Sequence, residues 1–339
     1  MRKGLLHILN RLLDPKALVL MYHRIATPAA DIWGIAVSPE NFEQHLKLLR
    51  NRGNVVPLRD LVKDVKQGKV RRNSIAITFD DGYTDNFTVA RPLLEKYQLP
   101  ATFFITSGNI GKEEEFWWDE LEHILLFAPQ LPQIFMAKLS DSPFTFDLQA
   151  EASLTEELQQ HHRRWDASND APPTLRARLF FLLWQQLKPL PQPEQETQMQ
   201  IIREWAGVPV SARPGYICMA PTQLQELSQH KLFDVGAHTV SHAALGMHNL
   251  AVQQKELLDS RQFLSALTGA DIPLLAYPYG NYNNWTLEAA ANTGFAAAVT
   301  TEEKAVTRRS GAYRLGRVQV KNMSGQAFAA QLQQWQRKP

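Results

Sequence analysis

The chain reads as an α/β protein built on a parallel sheet or barrel, and three observations lead there. Strand-like apolar runs recur near 17–23, 75–80, 101–106, 234–238, 274–278, 296–300 and 315–319, separated mostly by helical patterns; such alternation is the mark of parallel βα units. Several of these runs stop in clusters of Asp, His or Tyr-Pro, and an α/β barrel gathers strand ends of this kind on one face. Between Gly111 and Gly215 the strands give way to amphipathic stretches. The 339 residues suffice for one large domain or two. The reading taken is a single domain, 1–339, with 112–215 as a helical insertion.

The leucines of the opening segment, Met1-Arg-Lys-Gly-Leu-Leu-His-Ile-Leu-Asn-Arg-Leu-Leu-Asp-Pro, recur at helical spacing without an uninterrupted apolar core or a small-residue cleavage site. It makes a poor signal peptide, so a cytoplasmic location is expected. The segment is expected to dock on the domain, with contact to a membrane surface as the alternative. No stretch is long and apolar enough for a membrane span. The first strand, Leu18-Val-Leu-Met-Tyr22, ends at His23.

The run Ile75-Ala-Ile-Thr-Phe-Asp80-Asp81-Gly82 then delivers two adjacent carboxylates at a strand end. Loops on a rigid scaffold commonly carry chemistry, and one acid can bind a metal while its neighbour handles protons; an ordinary Asp-Gly turn would look the same. In the insertion, Phe116-Trp-Trp-Asp-Glu-Leu-Glu-His and Thr174-Leu-Arg-Ala-Arg-Leu-Phe-Phe carry helical spacing, and Lys188-Pro-Leu-Pro-Gln-Pro marks a joint that no helix crosses. Trp117 and Trp118 are assigned to its core.

The next strand leads into Asp234-Val-Gly-Ala-His238-Thr-Val-Ser-His242. One helical turn would put both imidazoles on one face. Two His and one Asp make a three-ligand set for a zinc-like ion, with a position left open for water. A third motif, Leu274-Leu-Ala-Tyr277-Pro278-Tyr279-Gly280, runs a strand into a rigid turn whose backbone N–H groups can face a developing oxyanion.

Together these motifs resemble the polysaccharide deacetylases, carbohydrate esterase family 4 with its NodB homology domain, over Ala17 to Val320 with an interruption. The resemblance implies a distorted, incomplete (β/α) barrel of about seven parallel strands. It implies Asp80 as general base, Asp81, His238 and His242 as ligands of a divalent metal, most simply Zn2+, and the Tyr279 N–H as oxyanion donor. Two departures stand out. Ala276 occupies the place of an arginine that steadies the base in the family, and Arg317 is the expected replacement cation, although an ordinary strand-end surface arginine would read alike. No late Leu-x-His supplies the proton for the leaving amine, which makes His23, otherwise a groove-lining residue, the candidate acid. Ala243 stands where a proline often follows the second histidine.

The implied reaction is hydrolysis of N-acetyl groups on amino sugars of a polysaccharide, glycolipid or precursor, as in exopolysaccharide biosynthesis. An O-acetyl glycan esterase, a catalytically impaired glycan-binding protein and a hydrolase of small amides are the alternatives. Charges nearly cancel, with 36 Lys and Arg against 34 Asp and Glu, so nothing in the balance points to nucleic acid. Cys218 is the single cysteine, and no internal disulfide can form.

Overall fold

The computed structural model describes residues 15–139, 142–210 and 212–337. The opening segment, for which docking or membrane contact is expected, lies outside the described residues. These residues divide into two compact units, one made of the chain up to Thr27, Ile35–Ile110 and everything from Met219 onward, the other of Pro28–Gly34 and Gly111–Cys218.

In the first unit, seven parallel strands form one sheet: β1 (Leu18–Tyr22), β2 (Ile75–Phe79), β3 (Ala101–Ile105), β4 (Phe233–Ala237), β5 (Leu274–Ala276), β6 (Ala297–Val299) and β7 (Val318–Gln319), in the spatial order β6-β5-β4-β3-β2-β1-β7. Each expected run contributes one strand. Residues 312–319 touch both edges of this sheet: Val318 pairs with Leu20 of β1, and Leu315 bridges in parallel to Val299 of β6. The sheet thereby curls into a short, irregular barrel.

Register places the strand ends level. Tyr22 pairs with Phe79, Phe79 with Phe103, Ile105 with Ala237, Ala237 with Leu275, and Ala276 with Val299. His23, Asp80, His238 and Tyr277 therefore leave the sheet side by side at its C-terminal edge.

Side-chain alternation separates the two faces of the sheet. Tyr22, Phe79 and Phe103 stack across β1, β2 and β3 at 5.5 and 4.9 Å, with Phe42 of helix Pro39–Arg52 edge-on to Tyr22. Helix Leu58–Lys66 adds Leu58, Leu61, Val62 and Val65 to a core with Val19, Ala76, Phe104, Ala276 and Val299. That apolar stripe follows the helical period.

The second unit has helices Trp117–Glu122, Glu156–Arg164, Leu175–Leu187 and Gln192–Ala206 around a core that includes Leu125, Phe135, Phe180, Leu183 and Ile202. Trp118 is buried and Trp117 packs against this core. The Pro-rich joint falls between the last two helices, as its missing N–H groups require. One feature departs from an all-helical insertion. Ile134–Leu139 and Ser142–Asp147 form an antiparallel hairpin, in which Phe135 is buried while Met136 stays 68% exposed. An exposed Met and Ile blur the period of two, which is why the run does not read as strand. Among the described residues, no helix is long and apolar enough to cross a membrane.

Candidate active site

The two adjacent carboxylates are sent in different directions by the backbone. The Asp80 N–H donates to the Tyr22 carbonyl at 3.0 Å, which continues the β1–β2 ladder, and Gly82 N–H then closes a tight turn onto the Asp80 carbonyl at 3.0 Å. Asp81 and Gly82 both have positive φ, 74° and 90°. Only glycine adopts the second of these freely, and a Cβ there would also lie 3.1 Å from Ile105 Cδ1.

Asp80 turns toward Arg317. The guanidinium donates from both terminal nitrogens to the two carboxylate oxygens at 2.7 Å each, from Nη1 to Thr78 Oγ1 at 3.2 Å, and from Nε to the Thr300 carbonyl at 3.0 Å. Arg317 is fully buried and Asp80 is 2% exposed. Burial alone would raise the Asp80 pKa, and the Arg317 guanidinium, together with the imidazoles of His238 and His23, outweighs it and holds the carboxyl below its ordinary value. Arg317 thus lies in the interior beside Thr78 rather than on the surface.

Asp81 faces the two histidines. His238 Nε2 and His242 Nε2 lie 3.4 and 3.3 Å from Asp81 Oδ1. His238 Nδ1 lies 2.8 Å from the Ala276 carbonyl, and a carbonyl can only accept, so Nδ1 carries a proton and Nε2 is the nitrogen left facing Asp81. Burial pushes His242 down to about 4, which keeps it neutral. Burial would raise Asp81, but the imidazoles beside it hold it well below the usual carboxylate range.

The imidazoles do not meet through a helical turn. Thr239 and His242 both take left-handed backbone angles, φ 65° and 58°, and the loop between them bends back on itself. With β4 ended at Ala237, two left-handed residues three positions apart, Thr239 and His242, do in a loop what one helical turn was expected to do.

A divalent cation fits this donor set. Asp81 Oδ1 is buried without a hydrogen-bond partner, and its contacts to two nitrogens are long for hydrogen bonds. One carboxylate oxygen and two imidazole nitrogens, all within 4.8 Å of one another, suit zinc in chemistry and number. The hydrogen bond from His238 to Ala276 is the outer-shell contact such ligands usually make.

Two further candidates border the set. Tyr279, in the turn Pro278–Gly280, has φ 58° and sets its ring edge-on to His242 at 4.4 Å between centroids. His23 follows β1, and its Nδ1 is buried without a partner. The Asn86 amide holds the His23 carbonyl at 2.7 Å, and Asp85 accepts from Asn86, from the Ile25 N–H and from Arg24. The seven residues singled out from sequence thus gather at one end of the sheet. Sequence reasoning missed Thr78, Asp85, Asn86 and Glu256; the first three lie inside or just after the Asp-Asp-Gly run, where proximity is their only signal.

The chain is similar to known polysaccharide deacetylases. The sequence profile described as polysaccharide deacetylase matches residues 67–127 and 195–298. YxkH of Bacillus subtilis (strain 168), named after the same family, is 25% identical over 318 residues, covering 93% of this chain and 75% of its own. A poly-β-1,6-N-acetyl-D-glucosamine N-deacetylase of Staphylococcus aureus (strain MSSA476) is 32% identical over 113 residues, covering 30% of this chain and 39% of that enzyme. The structure of the Streptococcus pyogenes deacetylase PplD in complex with acetate superposes with a TM-score of 0.54 at 20% identity, over 94% of this chain and 99% of that one.

Proposed function

We propose that this chain, which belongs to the polysaccharide deacetylase family, is a metal-dependent hydrolase that removes N-acetyl groups from amino sugars of a glycan. The observation that carries the reading is the division of one Asp-Asp pair: Asp80 is locked to a buried arginine, and its neighbour Asp81 faces the Nε2 atoms of two imidazoles.

Asp81, His238 and His242 would hold the ion, with zinc as the expected metal. Bound there, it would polarise the acetyl carbonyl and make water more acidic. Asp80 takes the proton of the attacking water as general base, and Arg317 holds both of its oxygens so that the free lone pairs point one way. The Tyr279 N–H donates to the oxygen on which charge builds. His23 gives a proton to the departing amine, so that acetate and a free amino sugar leave.

The named activity of the S. aureus relative, on poly-β-1,6-N-acetyl-D-glucosamine, supports a β-linked N-acetylhexosamine polymer as the substrate class. The Arg317–Asp80 pair also supports turnover over a purely glycan-binding role, because it supplies the cation that Ala276 does not. The test is acetate release from N-acetylated oligosaccharides and O-acetylated glycans by metal-stripped protein with and without zinc. Zinc-dependent release from the N-acetylated set is expected. Release from the O-acetylated set alone would make the protein an esterase, and glycan binding without release would refute turnover.

A further inference from the structure

The loop that carries both histidines is held from outside by one carboxylate. Glu256, on helix Leu250–Thr268, accepts the Val240 N–H at 2.8 Å and the Ser241 N–H at 3.0 Å on Oε2, and the Ser241 hydroxyl at 2.8 Å on Oε1. The residues it grips lie between Thr239 and His242, the two with left-handed backbone angles. On its other side the loop is pinned by Ser107 N–H to the Thr239 carbonyl at 3.1 Å and Gly108 N–H to the Val240 carbonyl at 2.8 Å. Gly108 must be glycine for this approach, since a Cβ would come within 2.6 Å of the Val240 oxygen.

A left-handed conformation at a non-glycine residue is costly and persists only where its surroundings enforce it. Two consecutive N–H groups pointing outward also form a small anion-binding nest, and here the anion is a side chain of the same chain. We infer that Glu256 is a positioning residue for the metal centre: it holds Val240 and Ser241 so that His242 Nε2 stays level with His238 Nε2 and Asp81 Oδ1. The inference rests on the metal reading of that site. Loss of an outer-shell contact to a ligand typically weakens metal binding about 10- to 100-fold, and Glu256 acts one step further out, through three contacts to the two residues that precede His242.

The test uses the full chain, stripped of metal, with zinc affinity read by competition against a chromogenic chelator and amide exchange read at Val240 and Ser241 in the zinc-free protein. E256A is expected to raise the zinc Kd about 10- to 100-fold and to speed exchange at both amides. E256Q is expected to stay within a few-fold of wild type. Its amide oxygen can accept both N–H groups, and its NH2 can donate to a Ser241 hydroxyl that turns from donor to acceptor. Should E256A fail to fold, S241A, which deletes one of the three contacts, is expected to raise the Kd by a smaller factor. An unchanged zinc Kd in folded E256A, or in S241A where E256A does not fold, overturns the inference alone. Wild-type protein that takes up no zinc overturns the metal reading and this inference with it.

Discussion

Replacing Arg317 by alanine strands the Asp80 charge, and the size of the effect follows from the geometry. Both Asp80 oxygens lie 2.7 Å from guanidinium nitrogens, with the two charge centres about 4 Å apart. At an effective dielectric constant of about 20, that attraction is worth about 4 kcal/mol. Breaking one partner out of a buried pair costs about 3–5 kcal/mol by experience, in agreement. Asp80, 2% exposed, escapes part of this cost by taking up a proton, and a protonated carboxyl is no base. R317A is therefore expected to lower kcat at least 100-fold while zinc content stays near one per chain, because Asp81 and the histidines do not touch Arg317. R317K keeps the charge but loses the two-pronged grip and should fall between. The assay is kcat on an N-acetylated oligosaccharide, with zinc measured on the same samples and urea midpoints for stability. R317A with full zinc, unchanged midpoint and kcat within about threefold of wild type would refute the reasoning.

The division of labour within the Asp pair is checked by metal analysis: D81A and H238A should lose zinc and activity together, whereas D80N should keep zinc and lose turnover, and equal zinc loss in all three would contradict the assignment. His45 is fully buried, with its ring stacked on Phe328 at 4.1 Å and Nε2 against the Met323 carbonyl, and burial pushes it down to about 4. Unfolded, it titrates near 6.5. Between those values only the unfolded chain binds the proton, so stability is complete above about pH 6.5 and falls as pH drops toward 4, by at most about 3 kcal/mol. Urea midpoints at pH 7 and 4.5 should differ less in H45Q than in wild type; an identical difference would exclude His45 as a source. Gly280, at φ 62°, would set a Cβ 2.0 Å from Thr301 Oγ1, so G280A should displace Tyr279 and lower kcat/KM with zinc binding retained, and an unaltered kcat/KM would show that the turn does not position the reaction.

Backbone hydrogen bonding and burial are local enough to be visible in sequence, and the seven strands are legible for that reason: each apolar run that fits a strand buried on both faces becomes one. The pairing of Arg317 with Asp80 is less so. The two stand 237 positions apart, and only the closing of the sheet through 315–319 brings β7 beside β1. The resemblance asked for a cation, and chain distance gave no means of telling a buried arginine from an exposed one. Glu256 is fainter still. It lies 14 residues beyond His242 on a helix with other charged residues nearby, and its role exists only because the helix packs over the loop.

The backbone strain explains why the least legible features belong to the site. Seven described non-glycine residues have positive φ, and four of them, Asp81, Thr239, His242 and Tyr279, belong to the site. A sequence with only local preferences would avoid these angles, each of which costs about 1 kcal/mol or more. They persist because contacts distant in sequence enforce them: Thr106 N–H on the Asp81 carbonyl at 3.2 Å, Ser107 on Thr239, and the Val299 carbonyl taking the Tyr277 N–H at 3.2 Å just ahead of the Tyr279 turn. Each enforcing contact joins neighbouring strand ends, so forming the sheet and shaping the site are one event. A mutation that loosens β3 or β6 at its C-terminal end should therefore weaken zinc binding before it unfolds the protein, because the left-handed residues relax first when their restraints go.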